Sequence, residues 1–185
     1  LEDGSVYKGY CFGAEADTYG EVVFNTSMTG YQEMLTDPSY AGQIVVPTYP
    51  LIGNYGVNEQ DFESRKIQVS GFVVREECHQ PSHYLNNKTV HVYLAESGIP
   101  GIYGVDTRAI TRKLRSTGVM MGIITTKKTP EEALVAVKNA TAYGQIDFVR
   151  QVSTDKPYEW PRKGEVKYNI VVLDCGLKFS ILRIL

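Results

Sequence analysis

Ser39 lies in a short loop, TDPSY at 36–40, whose residue types could present a hydroxyl group to a ligand. The same residues are common turn formers. Proline fixes one backbone angle, and Asp37 and Ser39 can hydrogen-bond to the backbone of their own turn. An ordered turn can also hold a polar side chain towards a ligand. The pattern therefore predicts a turn and leaves a ligand contact by Ser39 open.

Cys78, His79 and His83 form a second group that could do chemistry, as metal ligands. Their spacing matches no established zinc pattern, and the sequence offers no obvious fourth ligand. A polar loop is the favoured interpretation, with an unrelated metal protein as the weaker alternative. His91, the third histidine, is predicted to lie on the surface of a helix.

Two further features could have a function. Arg108, Arg112 and Arg115 recur at helical spacing, which predicts one basic face, either solvated or facing an acidic partner. Cys175 follows an apolar segment and has no histidine nearby in the sequence, so we expect it to be buried and inert rather than a nucleophile. The chain also contains no P-loop, no GxGxxG motif and no recognisable Ser/His/Asp arrangement. The residues alone thus predict no catalytic group and no metal site.

The composition excludes several classes of protein. The 185 residues carry 19 Lys and Arg against 21 Asp and Glu, which argues against nucleic-acid binding driven by excess positive charge. No apolar run reaches the roughly 18 residues of a membrane-spanning helix, and no signal peptide is visible. Three scattered cysteines indicate reduced thiols in a cytoplasmic protein.

Strand and helix patterns alternate along the chain, which predicts an α/β fold. Asp106 and Thr129 are the expected N-caps of two helices. Strands are predicted at 5–11, 21–25, 43–48, 67–74, 99–105 and 119–125, and helices at 89–97, 107–117 and 130–139.

The domain organisation follows from the second half of the chain. Residues 1–152 are expected to form one domain, and the Pro- and charge-rich segment 153–167 a linker. The pattern of residues 168–174 predicts a buried strand, and a turn and a helical pattern follow to residue 185. Because one strand and a short helix cannot bury each other, we expect 168–185 to be the beginning of a second, parallel-sheet domain.

Six ordered strings closely resemble the small chain of carbamoyl-phosphate synthase, over essentially the whole chain. They are LEDG at 1–4, GEVVFNTSMTGYQE at 20–33, TDPSY at 36–40, TYPLIGNYG at 48–56, GVDTR at 104–108 and VLDCGLK at 172–178. The resemblance implies a swivelling three-layer β/β/α domain followed by the truncated start of a class I glutamine amidotransferase domain. It also implies that Ser39 contacts glutamine, while the family's catalytic Cys, His and Glu lie beyond Leu185.

The resemblance further implies the reaction and the partner. The family hydrolyses L-glutamine and passes ammonia to a large chain, which makes carbamoyl phosphate from bicarbonate and ATP for pyrimidine and arginine biosynthesis. ATP and magnesium would be used by the large chain, with no cofactor, nucleic acid or membrane bound by this one, and residues 1–185 alone would be inactive. The alternative is a non-catalytic docking module that binds the large chain and positions the glutaminase domain.

Overall fold

A mixed six-stranded sheet forms the centre of the chain in the computed structural model, which describes residues 1–161, 164–165 and 167–185. The strand order is β1-β7-β5-β3-β2-β8, and β4 pairs with β6 in a separate small sheet. The strands are β1 (Tyr10–Gly13), β2 (Thr18–Asn25), β3 (Ile44–Pro47), β4 (Leu51–Ile52), β5 (Gly71–Val73), β6 (Glu76–Glu77), β7 (Pro100–Tyr103) and β8 (Met120–Ile124).

The central strands run parallel and the two edge strands antiparallel. β2 pairs with β3, β3 with β5 and β5 with β7 in parallel register, whereas β1 and β8 pair antiparallel with β7 and β2. Parallel pairs need long crossover connections, and helices lie in the β2–β3 and β5–β7 connections, whereas the β3–β5 connection contains none. The predicted α/β class is confirmed.

The described residues form six helices and two 3-10 turns. The helices are α1 (Tyr31–Thr36), α2 (Val90–Glu96), α3 (Thr107–Thr117), α4 (Pro130–Asn139), α5 (Phe148–Val152) and α6 (Phe179–Ile184), and the turns are Pro38–Tyr40 and Tyr143–Gln145. The Asp106 carboxylate caps α3 by accepting from the Ala109 N–H at 2.9 Å. Thr129 and Glu132 form the predicted capping box at the start of α4.

Apolar side chains from alternate positions of β3 cover both faces of the sheet. Val45 packs in a buried cluster with Tyr31 and Leu35 of α1. Ile44 and Val46 face the opposite side and pack in a cluster that includes residues of α3. Such burial on both faces explains why β3 is continuously apolar. It also places α1 firmly against the sheet, immediately before the Ser39 turn.

Most predicted elements are present within a few residues of their expected bounds, but the strand predicted at 5–11 is largely wrong. Strand β1 begins only at Tyr10, which pairs with Tyr103 at the end of β7. Beyond Tyr103 the chain turns, and the Gly104 N–H donates to the Arg75 carbonyl. Residues 5–9 therefore have no residues of β7 to pair with. Within the segment predicted at 67–74, only Gly71–Val73 forms a ladder.

The strand predicted at 168–174 is not formed in the structure. Its apolar side chains are exposed, and Val171 is 98% accessible. A strand requires a neighbouring strand to satisfy its backbone groups, and no described strand pairs with this segment. Cys175 is likewise exposed, contrary to the predicted burial. The helix expected after this segment is present as α6.

Among the described residues, none of the helices combines the length and apolarity that crossing a membrane requires.

Candidate functional site at the Ser39 turn

The Ser39 turn is an ordered structure built on the end of α1. Asp37 precedes the 3-10 turn, and its Oδ1 atom accepts from the Ser39 N–H at 2.9 Å. Pro38 is buried and occupies the first position of the turn, whereas Ser39 is exposed. The Ser39 hydroxyl makes no hydrogen bond to any described residue. The predicted turn is confirmed, and its hydroxyl is available to donate to and accept from a ligand.

The base of this turn is fixed by a buried threonine. Thr36 is the last residue of α1, and its Oγ1 donates to the Gln32 carbonyl at 3.0 Å. The Glu63 N–H donates to the same Oγ1 at 2.9 Å, and the Ser64 hydroxyl donates to the Thr36 carbonyl at 2.6 Å. Because these contacts are buried, they hold the turn in one position relative to the core.

Residues far along the chain complete the surroundings of the turn. The Lys178 ammonium donates to Asp37 Oδ2 at 2.7 Å. This hydrogen bond raises the pKa of Lys178 above its ordinary value, with partial burial opposing the effect. A Cβ atom at Gly176 would lie 3.3 Å from the Pro38 Cβ, so the backbone there closely approaches the turn. Lys178 could not be predicted at this site from the sequence, because no local pattern connects it with Asp37.

The tyrosines of the neighbouring loops support the start of α1. The rings of Tyr31 and Tyr55 stack with centroids 4.1 Å apart. The Tyr31 hydroxyl donates to the Gly56 carbonyl at 2.7 Å, and the Tyr55 hydroxyl accepts from the Gly30 N–H at 2.9 Å. Burial raises the pKa of both phenols, so they stay neutral near pH 7. These tyrosines are structural parts of the site.

The arrangement suits recognition of a small polar ligand rather than bond cleavage. It offers a free hydroxyl beside a paired ammonium and carboxylate. No histidine belongs to the described contacts of Cys175, and a thiol needs such a base or a lowered pKa to act as a nucleophile. The Ser39 turn is therefore a candidate binding site.

The structure gives the metal alternative no geometric support. The His79 ring packs edge-on against Tyr103, with centroids 6.1 Å apart, and the His83 ring lies 4.7 Å from that of Tyr84. The described part of the chain contains no group of three or more His, Cys, Asp or Glu side chains placed to hold an ion. His91 is exposed, as predicted, and its Nδ1 accepts from the Gly13 N–H at 3.1 Å.

The basic face predicted on α3 is present. Arg108, Arg112 and Arg115 are exposed, while Ile110 and Leu114 of the same helix are buried. This face lies on the opposite side of the sheet from the α1 cluster. It is a separate surface from the Ser39 turn.

Comparison with known proteins identifies the family. The family described as "Carbamoyl-phosphate synthase small chain, CPSase domain" matches residues 1–124, which include the Ser39 turn. This chain belongs to the carbamoyl-phosphate synthase small-chain family. The resemblance found in the sequence strings is confirmed.

Curated carbamoyl phosphate synthase small chains are similar along almost the whole chain. Those of Fusobacterium nucleatum, Bacillus caldolyticus and Aquifex aeolicus are 51%, 50% and 48% identical, over 99% of this chain. The matches cover 50%, 49% and 53% of those relatives. The chain thus spans about half the length of the curated relatives it matches.

Proposed function

We propose that the protein carrying this sequence hydrolyses L-glutamine and supplies the ammonia to a carbamoyl-phosphate synthase large chain. The large chain would combine that ammonia with bicarbonate and ATP. In this proposal Ser39 contacts the bound glutamine. The observation that carries the role is the exposed Ser39 hydroxyl on a turn fixed by Thr36 and Asp37.

The chemistry of residues 1–185 in this proposal is binding rather than catalysis. A hydroxyl can accept from a ligand N–H and donate to a ligand oxygen, and glutamine offers both kinds of group. The nucleophilic Cys and its His and Glu would lie outside residues 1–185. ATP and magnesium would act on the large chain, with no cofactor held here, and residues 1–185 alone would release no ammonia from glutamine.

The finer domain assignment also belongs to this proposal. Residues 1–152 would form the swivelling β/β/α domain, 153–167 a linker, and 168–185 the start of the class I glutamine amidotransferase domain. Helix α5 ends at Val152, and the described residues of 153–167 contain no helix or strand. The exposed apolar side chains of 168–174 fit a strand that pairs within that further domain.

The cellular location, the partner and the pathways of the enzyme follow from the proposed reaction. We place the protein in the cytoplasm, in a heterodimer with the large chain, and its product in pyrimidine and arginine biosynthesis.

Replacing Ser39 with alanine in the full-length protein, assembled with its large chain, tests the proposal. Loss of one hydrogen bond to a charged substrate is worth about 1.5 kcal/mol, so we expect the glutamine KM to rise about tenfold. Activity with added ammonia should be unchanged, because that route bypasses glutamine. Ser97→Ala, at an exposed serine after α2, is the matched control. An unchanged glutamine KM in Ser39→Ala would contradict the proposed contact.

The exposed basic face of α3 favours a second function, docking on the large chain. Three arginines on one face would suit an acidic partner surface. If Arg112→Glu prevents assembly while Ser39→Ala leaves the glutamine KM unchanged, the docking module is the better description. If Ser39→Ala alone changes the KM, the glutamine-binding role is favoured.

A further inference from the structure

Helix α6 is capped by a residue from a distant part of the chain. Its N-cap residue, Lys178, makes no side-chain capping hydrogen bond. Instead, the Phe179 N–H donates to the Glu63 carbonyl at 2.9 Å, and the Ser180 N–H donates to Glu63 Oε2 at 3.0 Å. The first N–H groups of a helix have no partner within the helix and require one from elsewhere. Glu63 therefore supplies both its carbonyl and its carboxylate to the start of α6.

The Glu63 carboxylate makes two further contacts with α6. Its Oε2 accepts from the Ser180 hydroxyl at 2.8 Å, and its Oε1 lies 3.1 Å from the Arg183 guanidinium. Arg183 also donates to the carbonyls of Gln60 and Phe62. Glu63 is only 6% exposed, whereas the Arg183 side chain is 41% exposed, so the pair is shielded from solvent on the Glu63 side alone.

Negative charge around Glu63 strengthens the preference for Arg183 at this position. Burial raises the pKa of Glu33, and the nearby carboxylates of Asp61 and Glu63 raise it further, whereas Arg183 lowers it. The Arg183 guanidinium thus pairs with Glu63 and also acts electrostatically on Glu33. The attraction between Arg183 and these carboxylates favours the observed position of α6 over other positions.

Glu63 is also connected directly to the Ser39 turn. Its N–H donates to Thr36 Oγ1, and the hydroxyl of the next residue, Ser64, donates to the Thr36 carbonyl. Thr36 immediately precedes the turn that presents Ser39. Residues 63–64 therefore contact both the base of the turn and the start of α6.

We propose that Glu63 is a positioning residue, which sets segment 178–183 against the Ser39 turn and so fixes the glutamine site. The inference rests on the proposed function, because it assumes that Ser39 contacts glutamine. Glu63 touches neither the substrate nor the reacting atoms in this role. It acts through Thr36 on one side and through Ser180 and Arg183 on the other.

Glu63→Gln in the full-length protein, assembled with its large chain, tests the proposal. Glutamine has the same shape but lacks the charge that pairs with Arg183. We expect the glutamine KM to rise three- to tenfold, with kcat and ammonia-dependent activity within twofold of wild type. Hydrogen exchange at the Phe179 and Ser180 amides should be faster. The matched control is Glu59→Gln, an exposed acidic residue of the same loop with no contact to α6.

An unchanged glutamine KM in Glu63→Gln would overturn the inference, as would a parallel fall in glutamine- and ammonia-dependent activity. Should Glu63→Gln not fold, Arg183→Gln removes the same pair from its more exposed side, and the same rise in KM is expected. An unchanged KM in that variant also overturns the inference.

Ser39→Ala, run in parallel, separates the two proposals. If only Ser39→Ala raises the glutamine KM, the proposed function stands and the positioning role is wrong. If Ser39→Ala leaves the glutamine KM unchanged, the proposed function is wrong. The exchange rates of the Phe179 and Ser180 amides in Glu63→Gln then still decide whether Glu63 fixes the start of α6.

Discussion

The ammonium group of Lys178 lies 2.7 Å from the carboxylate of Asp37, 141 positions earlier in the chain. Asp37 uses its other oxygen to accept from the Ser39 N–H. One carboxylate therefore shapes the turn that presents Ser39 and binds the segment that precedes α6. Any change in Asp37 acts on both at once.

Asp37→Asn should weaken this connection. The introduced amide can still accept from the Ser39 N–H, but it cannot neutralise the Lys178 ammonium. Because the Lys178 side chain is 41% exposed, we expect a loss of about 1 kcal/mol in the free energy of unfolding. Chemical denaturation of the full-length protein measures it, with the exposed Asp155→Asn as control.

The difference in the free energy of unfolding between wild type and Asp37→Asn should depend on pH if the ion pair with Lys178 causes it. The pKa of Lys178 is raised above its ordinary 10.5 by the hydrogen bond to Asp37. Its contribution is therefore complete below pH 10.5 and is lost as the pH rises through the raised pKa. The difference between wild type and Asp37→Asn should be constant from neutral pH to just below 10.5 and shrink above it. A difference that persists at higher pH would contradict the ion-pair explanation.

Asp3 should titrate at unusually low pH. A hydrogen bond from the Lys113 ammonium lowers its pKa to about 2, with partial burial opposing and the Ser5 N–H and hydroxyl assisting. A lowered pKa contributes stability that is present above the ordinary 3.8 and is lost as the pH falls towards 2. Since the Asp3 side chain is 33% exposed, we expect less than about 1 kcal/mol.

Carboxyl NMR measures the Asp3 titration directly. The midpoint in wild type should lie near 2, and Lys113→Met should move it up towards 3.8. A Lys113→Met midpoint equal to that of wild type would show that another group lowers the Asp3 pKa.

Gly20→Ala should destabilise the sheet by about 1–3 kcal/mol through overpacking. Gly20 lies in β2, where an added Cβ would be 2.4 Å from the Gly42 carbonyl oxygen and 2.8 Å from the Ser70 hydroxyl. The Gly42 carbonyl oxygen cannot move aside without shifting the backbone that leads into β3. Gly144→Ala is the control, because nothing lies within 4 Å of its added Cβ. Equal denaturation midpoints for the two variants would contradict this close approach.

Tyr31→Phe should lower the free energy of unfolding by about 1–3 kcal/mol. The Tyr31 hydroxyl donates to the Gly56 carbonyl and accepts from the Tyr55 N–H at 3.2 Å. Its removal leaves the buried Gly56 carbonyl and the partly buried Tyr55 N–H without this partner, while the ring can still stack on Tyr55. Tyr84→Phe, at an 88% exposed side chain, should have no measurable effect. A comparable loss in both variants would show that the buried hydroxyl has no special role.

Local features of the fold could be predicted because their causes lie within a few residues. The Asp106 cap and the Thr129 capping box each depend on groups three positions away, so the sequence alone specifies them. The β-branched run at 43–48 similarly predicted a strand, which the structure forms as β3. The Ser39 turn also follows from its own residues, since Asp37 and Pro38 form it regardless of what surrounds it.

Features that depend on distant partners could not be predicted in this way. The strand expected at 168–174 is absent because a hydrophobic pattern does not supply a neighbouring strand. The strand expected at 5–11 begins late because β7 ends opposite Tyr10. Helix α1 was not predicted, since six residues are too few to establish a helical period, and its burial comes from packing on the sheet.

The sequence by itself therefore determined the α/β class, the helix caps, the Ser39 turn and the resemblance to the small-chain family, which depends only on residue order. Tertiary structure alone decided what surrounds that turn. Lys178 meets Asp37, and Glu63 meets both Thr36 and α6, because the folded chain brings together residues up to 141 positions apart. Spacing along a sequence indicates which residues are neighbours within one turn of a helix or along one strand. Contacts between residues more than 100 positions apart depend instead on how the whole sheet is assembled.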